Sequence, residues 1–252
     1  MLSDIQSSIV RLSGVDKRYP GGTLALSGVD LAVAPGEFLS LLGPSGCGKS
    51  TILRLIAGLT SPSAGIVERI PGDLGFVFQE PTLMPWARTL DNVLLPLRIA
   101  GVALDEARQR AADALARVGL QGFERAFPRQ LSGGMRMRVS IARALVTDAK
   151  LLLMDEPFAA LDEITRLKLN DDLLNLARLQ GLTVIFVTHS VYESVYLSSR
   201  ILVMTLRPGR IAADIAIAEG YPRGRDFRHG AAYAEHCRDV SARLEAAMAE
   251  AS

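Results

Sequence analysis

The feature that most constrains this chain is a glycine-rich octapeptide, GPSGCGKS, at residues 43–50. It matches the pattern G-x-x-x-x-G-K-[ST] and stands between an apolar run at 38–42 and the helically periodic stretch TILRLIAGL at 51–59. Glycines let backbone N–H groups turn around phosphate oxygens, and the helix that follows begins with its positive end facing them. The pattern in this strand–loop–helix context predicts a phosphate site rather than an ordinary glycine turn.

Two side chains of this loop have defined chemistry in such a site. Lys49 would reach the β- and γ-phosphates of a nucleotide, and the hydroxyl of Ser50 would ligate Mg²⁺. The candidate phosphate-binding residues are Gly43, Pro44, Ser45, Gly46, Cys47, Gly48, Lys49, Ser50 and Thr51.

A second motif, LLLMDEP, supplies carboxylates at the end of an apolar run at 151–155. Asp155 would hold the metal ion through its water shell, and Glu156 would activate a water for in-line attack on the γ-phosphate. Alone, this pair could be a solvated strand end. Beside a phosphate loop, it predicts the second half of a magnesium nucleotide site.

The order of elements indicates an α/β fold. The runs 151–155 and 182–189 are apolar at consecutive positions, which is typical of parallel strands buried on both faces, and a helix at 163–179 connects them. The other predicted strands are 9–12, 24–33, 38–42, 65–70, 74–78, 200–204 and 210–215. Helical patterns cover 89–119, 132–145 and 231–248.

Composition excludes several classes of protein. With 28 Lys plus Arg against 27 Asp plus Glu, the net charge of +1 gives no support for a nucleic-acid-binding protein. The only cysteines, Cys47 and Cys237, form no disulfide framework, so a reducing cytosol is expected. The start of the sequence shows no signal peptide, and no run approaches the ~18–20 apolar residues of a membrane span.

Between the two nucleotide motifs stands LSGGM at 131–135, followed by RMRVSIARAL, which resembles the signature of ATP-binding-cassette ATPases. Four further residues occupy the positions at which this family has its adenine-stacking aromatic, Q-loop, D-loop and switch residues, namely Tyr19, Gln79, Asp162 and His189. The resemblance covers at least residues 9–211. It implies a P-loop NTPase core with a mixed, largely parallel sheet, an N-terminal antiparallel β-subdomain and a helical signature subdomain at about 82–146.

The resemblance also implies roles for these residues. In the family, the signature of one subunit, here Ser132, Gly133 and Gly134, closes on the γ-phosphate held by a second copy. Gln79 completes the shell of the metal ion and water, while His189 polarises the attacking water or the γ-phosphate. Tyr19 and Asp162 complete the nucleotide contacts. Met135 departs from the pattern, because most members have Gln there.

Three longer stretches, FQEPTLMPWARTLDNVLLPL, LSGGMRMRVSIARAL and HSVYESVYLSSRILVMTLRPGRI, are similar to ATP-binding subunits of the nitrate/sulfonate/taurine class of bacterial importers. This implies a homodimer under two transmembrane permeases that dock near residues 79–86, on the cytoplasmic face of the inner membrane. An extracytoplasmic solute-binding protein delivers the solute. Trp86 is either part of that docking surface or core packing of the helical subdomain.

The expected organisation is an ATPase domain at 1–220 followed by a helical tail at 221–252. Alternatives are an exporter-type subunit and a non-transport ATPase of the same superfamily. A P-loop kinase or GTPase is a third alternative, but it would lack the signature and the D-loop.

Overall fold

The described part of the chain, residues 8–72 and 74–249 of a computed structural model, divides into two units. The first unit consists of Met1–Pro71 and Thr183–Ser252, and the second of Gly72–Leu182. The sequence predicts no signal peptide at the N-terminus, and most of that segment lies outside the described residues. Within them, no helix has both the length and the apolar character needed to cross a membrane.

The first unit contains a three-stranded antiparallel sheet. Strand β1 (Val10–Arg18) lies between β2 (Leu24–Val33) and β4 (Ala64–Arg69), with Val10 opposite Val33. Apolar and polar residues alternate along β1 and β2, so one face of this sheet is buried and the other is solvated.

The first unit also carries the strand that leads into the phosphate loop. This strand, β3 (Phe38–Leu42), lies beside β7 (Thr183–Thr188), β8 (Arg200–Met204) and β9 (Ile211–Ala216). The four strands lie in the order β7, β3, β8, β9, with β3 parallel to both of its neighbours and β9 antiparallel to β8. Every residue of β3 and β7 is buried, as expected for central parallel strands.

Four helices complete the first unit: α1 (Lys49–Ile56), α6 (Val191–Leu197), α7 (Arg225–His229) and α8 (Ala231–Ala249). Helix α1 contacts β7, whereas α8 packs on α6, β8 and β9.

The second unit is largely helical around one pair of parallel strands, β5 (Leu74–Val77) and β6 (Leu151–Asp155). Its helices are α2 (Thr89–Ile99), α3 (Leu104–Arg117), α4 (Gly133–Leu145) and α5 (Glu163–Gln180), with a 3₁₀ turn at Pro128–Gln130. Helix α4 is central, because it contacts α2, α3, α5 and β5. A glycine is needed where α4 crosses β5, since a Cβ on Gly75 would lie 2.5 Å from the carbonyl oxygen of Ala144.

The mixed, largely parallel sheet, the antiparallel sheet and the helical segment predicted from the sequence are all present. Two boundaries differ: β1 continues to Arg18, and the helical pattern at 89–119 is two helices interrupted at Gly101, whose φ is +78°. Helices α6 and α7 were not predicted. On the last helix, Ala247 is buried, whereas Met248 is 48% exposed.

Candidate nucleotide-binding site

The phosphate loop takes its shape from glycines in the left-handed region. Gly46 has a φ of +79°, and Gly48, the residue that caps the N-terminus of α1, has a φ of +104°. A side chain would also collide with neighbours, because a Cβ on Gly43 would lie 2.9 Å from the Sγ of Cys47. The loop is therefore a tight turn that brings backbone N–H groups to the start of α1.

Lys49 is held inside this turn, with only 4% of its surface exposed. Its Nζ donates hydrogen bonds to the carbonyl oxygens of Gly43 at 2.6 Å and Pro44 at 2.9 Å. The loop thus places a buried cation among its own carbonyls, where phosphate oxygens can compete for the same donor. Ser50 and Thr51 follow in the first turn of α1.

Tyr19 is hydrogen-bonded to the first turn of α1. Its hydroxyl lies 3.2 Å from the Oγ1 of Thr51, and the ring is half-buried. The Nζ of Lys17 lies 5.2 Å from the ring centroid and donates hydrogen bonds to the Oγ1 of Thr60 and the carbonyl of Ser61. An aromatic ring is therefore fixed beside the phosphate loop, as adenine stacking requires.

His189 follows directly after β7 and is exposed. The neighbouring backbone is fixed, since the Oγ1 of Thr188 accepts the Ser190 N–H at 3.0 Å and donates to the Oε2 of Glu193 at 2.6 Å. The Oγ of Ser190 in turn caps α6 by accepting the N–H of Glu193. His189 is thus placed at a strand end, between β7 and the capped start of α6.

In the second unit, Gln79, Asp155 and Glu156 lie at the carboxyl-terminal ends of the parallel strands β5 and β6. Strands β5 and β6 are parallel with Val77 opposite Met154, so residues that follow each strand emerge on the same side. Asp155 and Glu156 are half-buried, and Gln79 is exposed. Glu156 has a φ of +46°, a conformation that costs a non-glycine residue ~1–3 kcal/mol and is often found at functional sites.

The signature and the D-loop also come together within the second unit. Ser132 caps α4, its Oγ accepting the N–H of Met135 at 3.3 Å. Packing requires a glycine at 134, because a Cβ there would lie 2.6 Å from the Cγ2 of Thr165, and a Cβ on Gly133 would make a close approach of 3.2 Å to Leu161. The exposed Ser132 therefore stands at an open helix N-terminus that can receive an anion.

Asp162 of the D-loop caps α5 by accepting the N–H of Thr165 at 2.9 Å. This hydrogen bond holds the pKa of the Asp162 carboxyl below its usual value. The D-loop and the signature are thus capped starts of two helices that contact each other.

The segment after Gln79 forms a rigid loop with an exposed aromatic tip. Asn92 accepts the N–H of Met84 at 2.7 Å and donates to the carbonyls of Met84 and Ala87 at 3.2 Å. Trp86, between these contacts, is 75% exposed. It is therefore not core packing within the second unit.

Sequence reasoning missed two arginines beside these motifs. Arg143 of α4 donates to the carbonyl oxygens of Pro81 and Thr82, each at 2.9 Å, and so ties the segment after Gln79 to the signature helix. Burial lowers the pKa of the Arg143 guanidinium. Arg207 donates to the carbonyl of Gly46 in the phosphate loop at 3.0 Å. Neither contact has a local signal, because the partners are 61 or more residues apart.

Comparison with known proteins identifies relatives of the chain. The model of the ABC transporter family matches residues 26–159. An aliphatic sulfonates import ATP-binding protein of Pseudomonas syringae pv. syringae is 48% identical over 211 residues, covering 83% of this chain and 86% of that protein. A taurine import ATP-binding protein of Yersinia pestis bv. Antiqua is 43% identical over 227 residues, covering 85% of this chain and 89% of that protein.

Solved structures give the same result for the fold. The dimeric post-hydrolysis state of an ATP-binding cassette bound to ADP and Pi is 35% identical, with a TM-score of 0.73. The match covers 84% of this chain and 100% of that chain.

Proposed function

The chain belongs to the ABC transporter family as an ATP-binding subunit, an ATPase coupled to transport, and we propose that two copies of it power import of a small anionic or polar solute such as nitrate, a sulfonate or taurine. The observation that carries this proposal is the phosphate loop, in which the glycine backbone and the buried Lys49 form a preorganised anion site. The solute class is supported by the 48% identity between this chain and an aliphatic sulfonates import ATP-binding protein.

Different residues bind the phosphates, contact the adenine and activate the attacking water. Lys49 and the N–H groups of the loop bind the phosphates, and the ring of Tyr19 stacks on adenine. Glu156 accepts the proton of the attacking water, while His189 donates a hydrogen bond to the γ-phosphate. The positive φ of Glu156 supports its assignment, since strained backbone persists where it serves a function.

A magnesium ion fits the residues at hand. Ser50, Gln79 and Asp155 offer a hydroxyl, an amide oxygen and a carboxylate, which are the hard oxygen ligands that Mg²⁺ prefers. Gln79 lies just beyond β5 and Asp155 is the last residue of its parallel neighbour β6, and this supports their joint assignment. When bound, the ion neutralises charge on the transferred phosphate.

The open helix N-terminus at Ser132 supports an ATP-dependent homodimer. One anion site, the phosphate loop, serves the nucleotide within a chain. A second one, built from Ser132, Gly133 and Gly134, would close on the γ-phosphate bound to the other copy. A 35% identical ATP-binding cassette is dimeric with bound ADP and Pi, which is consistent with this.

The exposed Trp86 supports docking of transmembrane permeases. An aromatic side chain that is 75% exposed on a rigid loop is typical of an interaction surface. Permeases bound there would hold the chain at the cytoplasmic face of the bacterial inner membrane, with an extracytoplasmic solute-binding protein on the other side. No role in nucleic-acid binding is proposed.

The hydrolysis step is tested by Glu156→Gln in the full chain. We expect ATP turnover to fall at least ~100-fold because the general base is lost, while ATP binding persists and stabilises a dimer. Phosphate release, nucleotide titration and light scattering measure these three quantities. Glu235→Gln, on the exposed face of α8, is the matched control and should hydrolyse ATP normally. Undiminished hydrolysis by Glu156→Gln would refute the mechanism.

The solute class requires a separate measurement. The chain is reconstituted in vesicles with its cognate permeases and binding protein, and ATP-driven uptake of labelled taurine and alkanesulfonates is followed. Uptake of either supports the proposal. ATP hydrolysis without uptake of any such solute would contradict the solute class and leave the ATPase assignment intact.

A further inference from the structure

The turn that joins β8 to β9, residues 205–210, lies against the phosphate loop. A Cβ on Gly209 would be 2.0 Å from the carbonyl oxygen of Cys47, so the two backbones are in direct contact. Gly209 is also fixed to β2, because its N–H donates to Ala25 at 2.9 Å and its carbonyl accepts the N–H of Ser27 at 3.1 Å. The turn is thus a fixed support behind the loop.

The turn is also held internally by Thr205. Its N–H donates to the carbonyl of Arg210 at 3.0 Å, and its Oγ1 donates to the carbonyl of Pro208 at 3.1 Å. The same hydroxyl accepts the N–H of Arg210 at 3.0 Å. Arg207 therefore extends from a closed, hydrogen-bonded turn rather than from a mobile loop.

Arg207 makes a side-chain hydrogen bond from this turn to the phosphate loop. Its Nε donates to the carbonyl oxygen of Gly46 at 3.0 Å. Its Nη2 lies 2.9 Å from the position that a Cβ on Gly46 would take, so the guanidinium occupies the space that a side chain would need. The side chain is exposed, which leaves it open to substitution without loss of core packing.

The orientation of one peptide unit follows from this contact. In a planar trans peptide, the carbonyl of Gly46 and the N–H of Cys47 point in opposite directions. With the Gly46 oxygen directed outward to Arg207, the Cys47 N–H is directed into the loop. There it makes a long hydrogen bond of 3.4 Å to the carbonyl of Pro44, the same oxygen that accepts from Lys49.

We infer that Arg207 is a positioning residue of the phosphate loop, which holds the Gly46 carbonyl outward and thereby aims the Cys47 N–H at the phosphates of the nucleotide. The inference rests on the proposed nucleotide site. Arg207 acts through the loop backbone and touches no reacting atom. Its hydrogen bond, rather than its charge, is the active feature, and this distinguishes it from a residue that attracts phosphate electrostatically.

Three substitutions separate these two effects. Arg207→Gln removes the charge but keeps an N–H donor, since the Gln amide nitrogen is as many bonds from Cα as the Arg Nε. Arg207→Lys keeps the charge but has a methylene at that position, and Arg207→Met has neither donor nor charge. Arg210→Met, on the same turn and also exposed, is the matched control.

Titration calorimetry with ADP and steady-state kinetics with Mg²⁺–ATP provide the measurements. We expect Arg207→Met and Arg207→Lys to raise the Kd for ADP and the KM for ATP about three- to tenfold, the range for one lost hydrogen bond. The kcat at saturating ATP should stay within about twofold of the parent, because the chemical groups are untouched. Arg207→Gln and Arg210→Met should bind like the parent.

A purely structural role of Arg207 predicts a different result, namely a lower Tm without nucleotide for all three substitutions. We expect an unchanged Tm without nucleotide and a smaller ADP-induced rise for Met and Lys. Parent-like ADP binding by Arg207→Met would overturn the inference. So would full binding by Lys with weak binding by Gln, since charge would then be decisive. A parent chain that binds no ADP would refute the nucleotide site itself, and this inference with it.

Discussion

The start of α1 tolerates no side chain at Gly48, for two independent reasons. Its φ of +104° lies in a region that favours glycine, and a Cβ would be 2.5 Å from the Cδ2 of Leu26 and 3.0 Å from the carbonyl of Ala25. Leu26 is fully buried in β2, so it has little room to retreat. The packing of the antiparallel sheet against the loop therefore fixes the backbone that presents Lys49 to phosphate.

Gly48→Ala should lower the free energy of unfolding by about 2–4 kcal/mol, from backbone strain and overpacking together. It should also weaken ATP binding, because the loop must move away from β2. Gly58→Ala is the control: its φ is +72°, but a Cβ there meets no atom within 4 Å, so only the ~1–2 kcal/mol of backbone strain is expected. Urea denaturation and ATP titration measure both effects. Equal losses in the two variants would show that contact with Leu26 does not matter.

Among the elements, α6 has its last carbonyl groups bound by a residue far along the chain. This helix has seven residues, too few to be stable by itself, and its last carbonyls need partners. The Nη1 of Arg223 donates to the carbonyls of Val195, Tyr196 and Ser198 at 2.9, 3.1 and 2.9 Å. Burial lowers the pKa of this guanidinium, whose exposed fraction is 6%. A cation at a helix C-terminus also interacts favourably with the helix dipole.

Arg223→Met should cost about 3–5 kcal/mol of unfolding free energy, because three carbonyls lose a charged, buried donor. Arg223→Lys should recover little of this loss, since an ammonium cannot reproduce the planar fork of donors. Arg238→Met, an exposed substitution on α8, should change stability by no more than ~0.5 kcal/mol. Thermal and urea denaturation provide the comparison. A stable Arg223→Met chain would show that α6 has another support.

Elements whose stability is local were predicted from the sequence. Strand β3 is a continuous apolar run followed by glycines, and α4 and α5 begin at the capping residues Ser132 and Asp162. Helices α6 and α7 were missed, because seven and five residues carry too little periodicity and α6 depends on Arg223.

Residues of the site also differ in whether local sequence or distant contacts determine their placement. Motif residues such as Lys49 and Glu156 were found because their spacing is fixed by local geometry. Arg207 was missed because its partner, Gly46, is 161 residues away and only the folded chain brings them together. The positive φ of Glu156 likewise has no sign in the sequence, since nothing in the motif requires a non-glycine residue to adopt it.

For the whole molecule, the motifs are distributed over the two units. The phosphate loop and His189 belong to the first unit, whereas Gln79, Glu156 and the signature belong to the second. The proposed homodimer assigns the signature of each copy to the ATP held by the other. Two chains that are each inactive for different reasons can therefore restore one active site when they are mixed.

Glu156→Gln and Ser132→Asp are the two chains for this test. Asp at 132 still caps α4 but places a negative charge where the γ-phosphate would bind. Each variant alone should hydrolyse ATP at no more than about one-hundredth of the parent rate. In a mixed dimer, one site combines the intact Glu156 of one chain with the intact Ser132 of the other. Random pairing of an equal mixture predicts up to about a quarter of the parent rate.

A signature that served the ATP of its own chain would give the opposite result. Every site of the mixed dimer would then lack either Glu156 or Ser132, and the mixture would be as inactive as its components. Mixing Glu156→Gln with Lys49→Ala provides a further control, because the proposed mechanism assigns Glu156 and Lys49 of one chain to the same ATP. Each site of that mixed dimer then lacks one of the two groups, so no activity should return. If ATP hydrolysis recovers when Glu156→Gln is mixed with Ser132→Asp but not when it is mixed with Lys49→Ala, Ser132 acts on the ATP of the other chain.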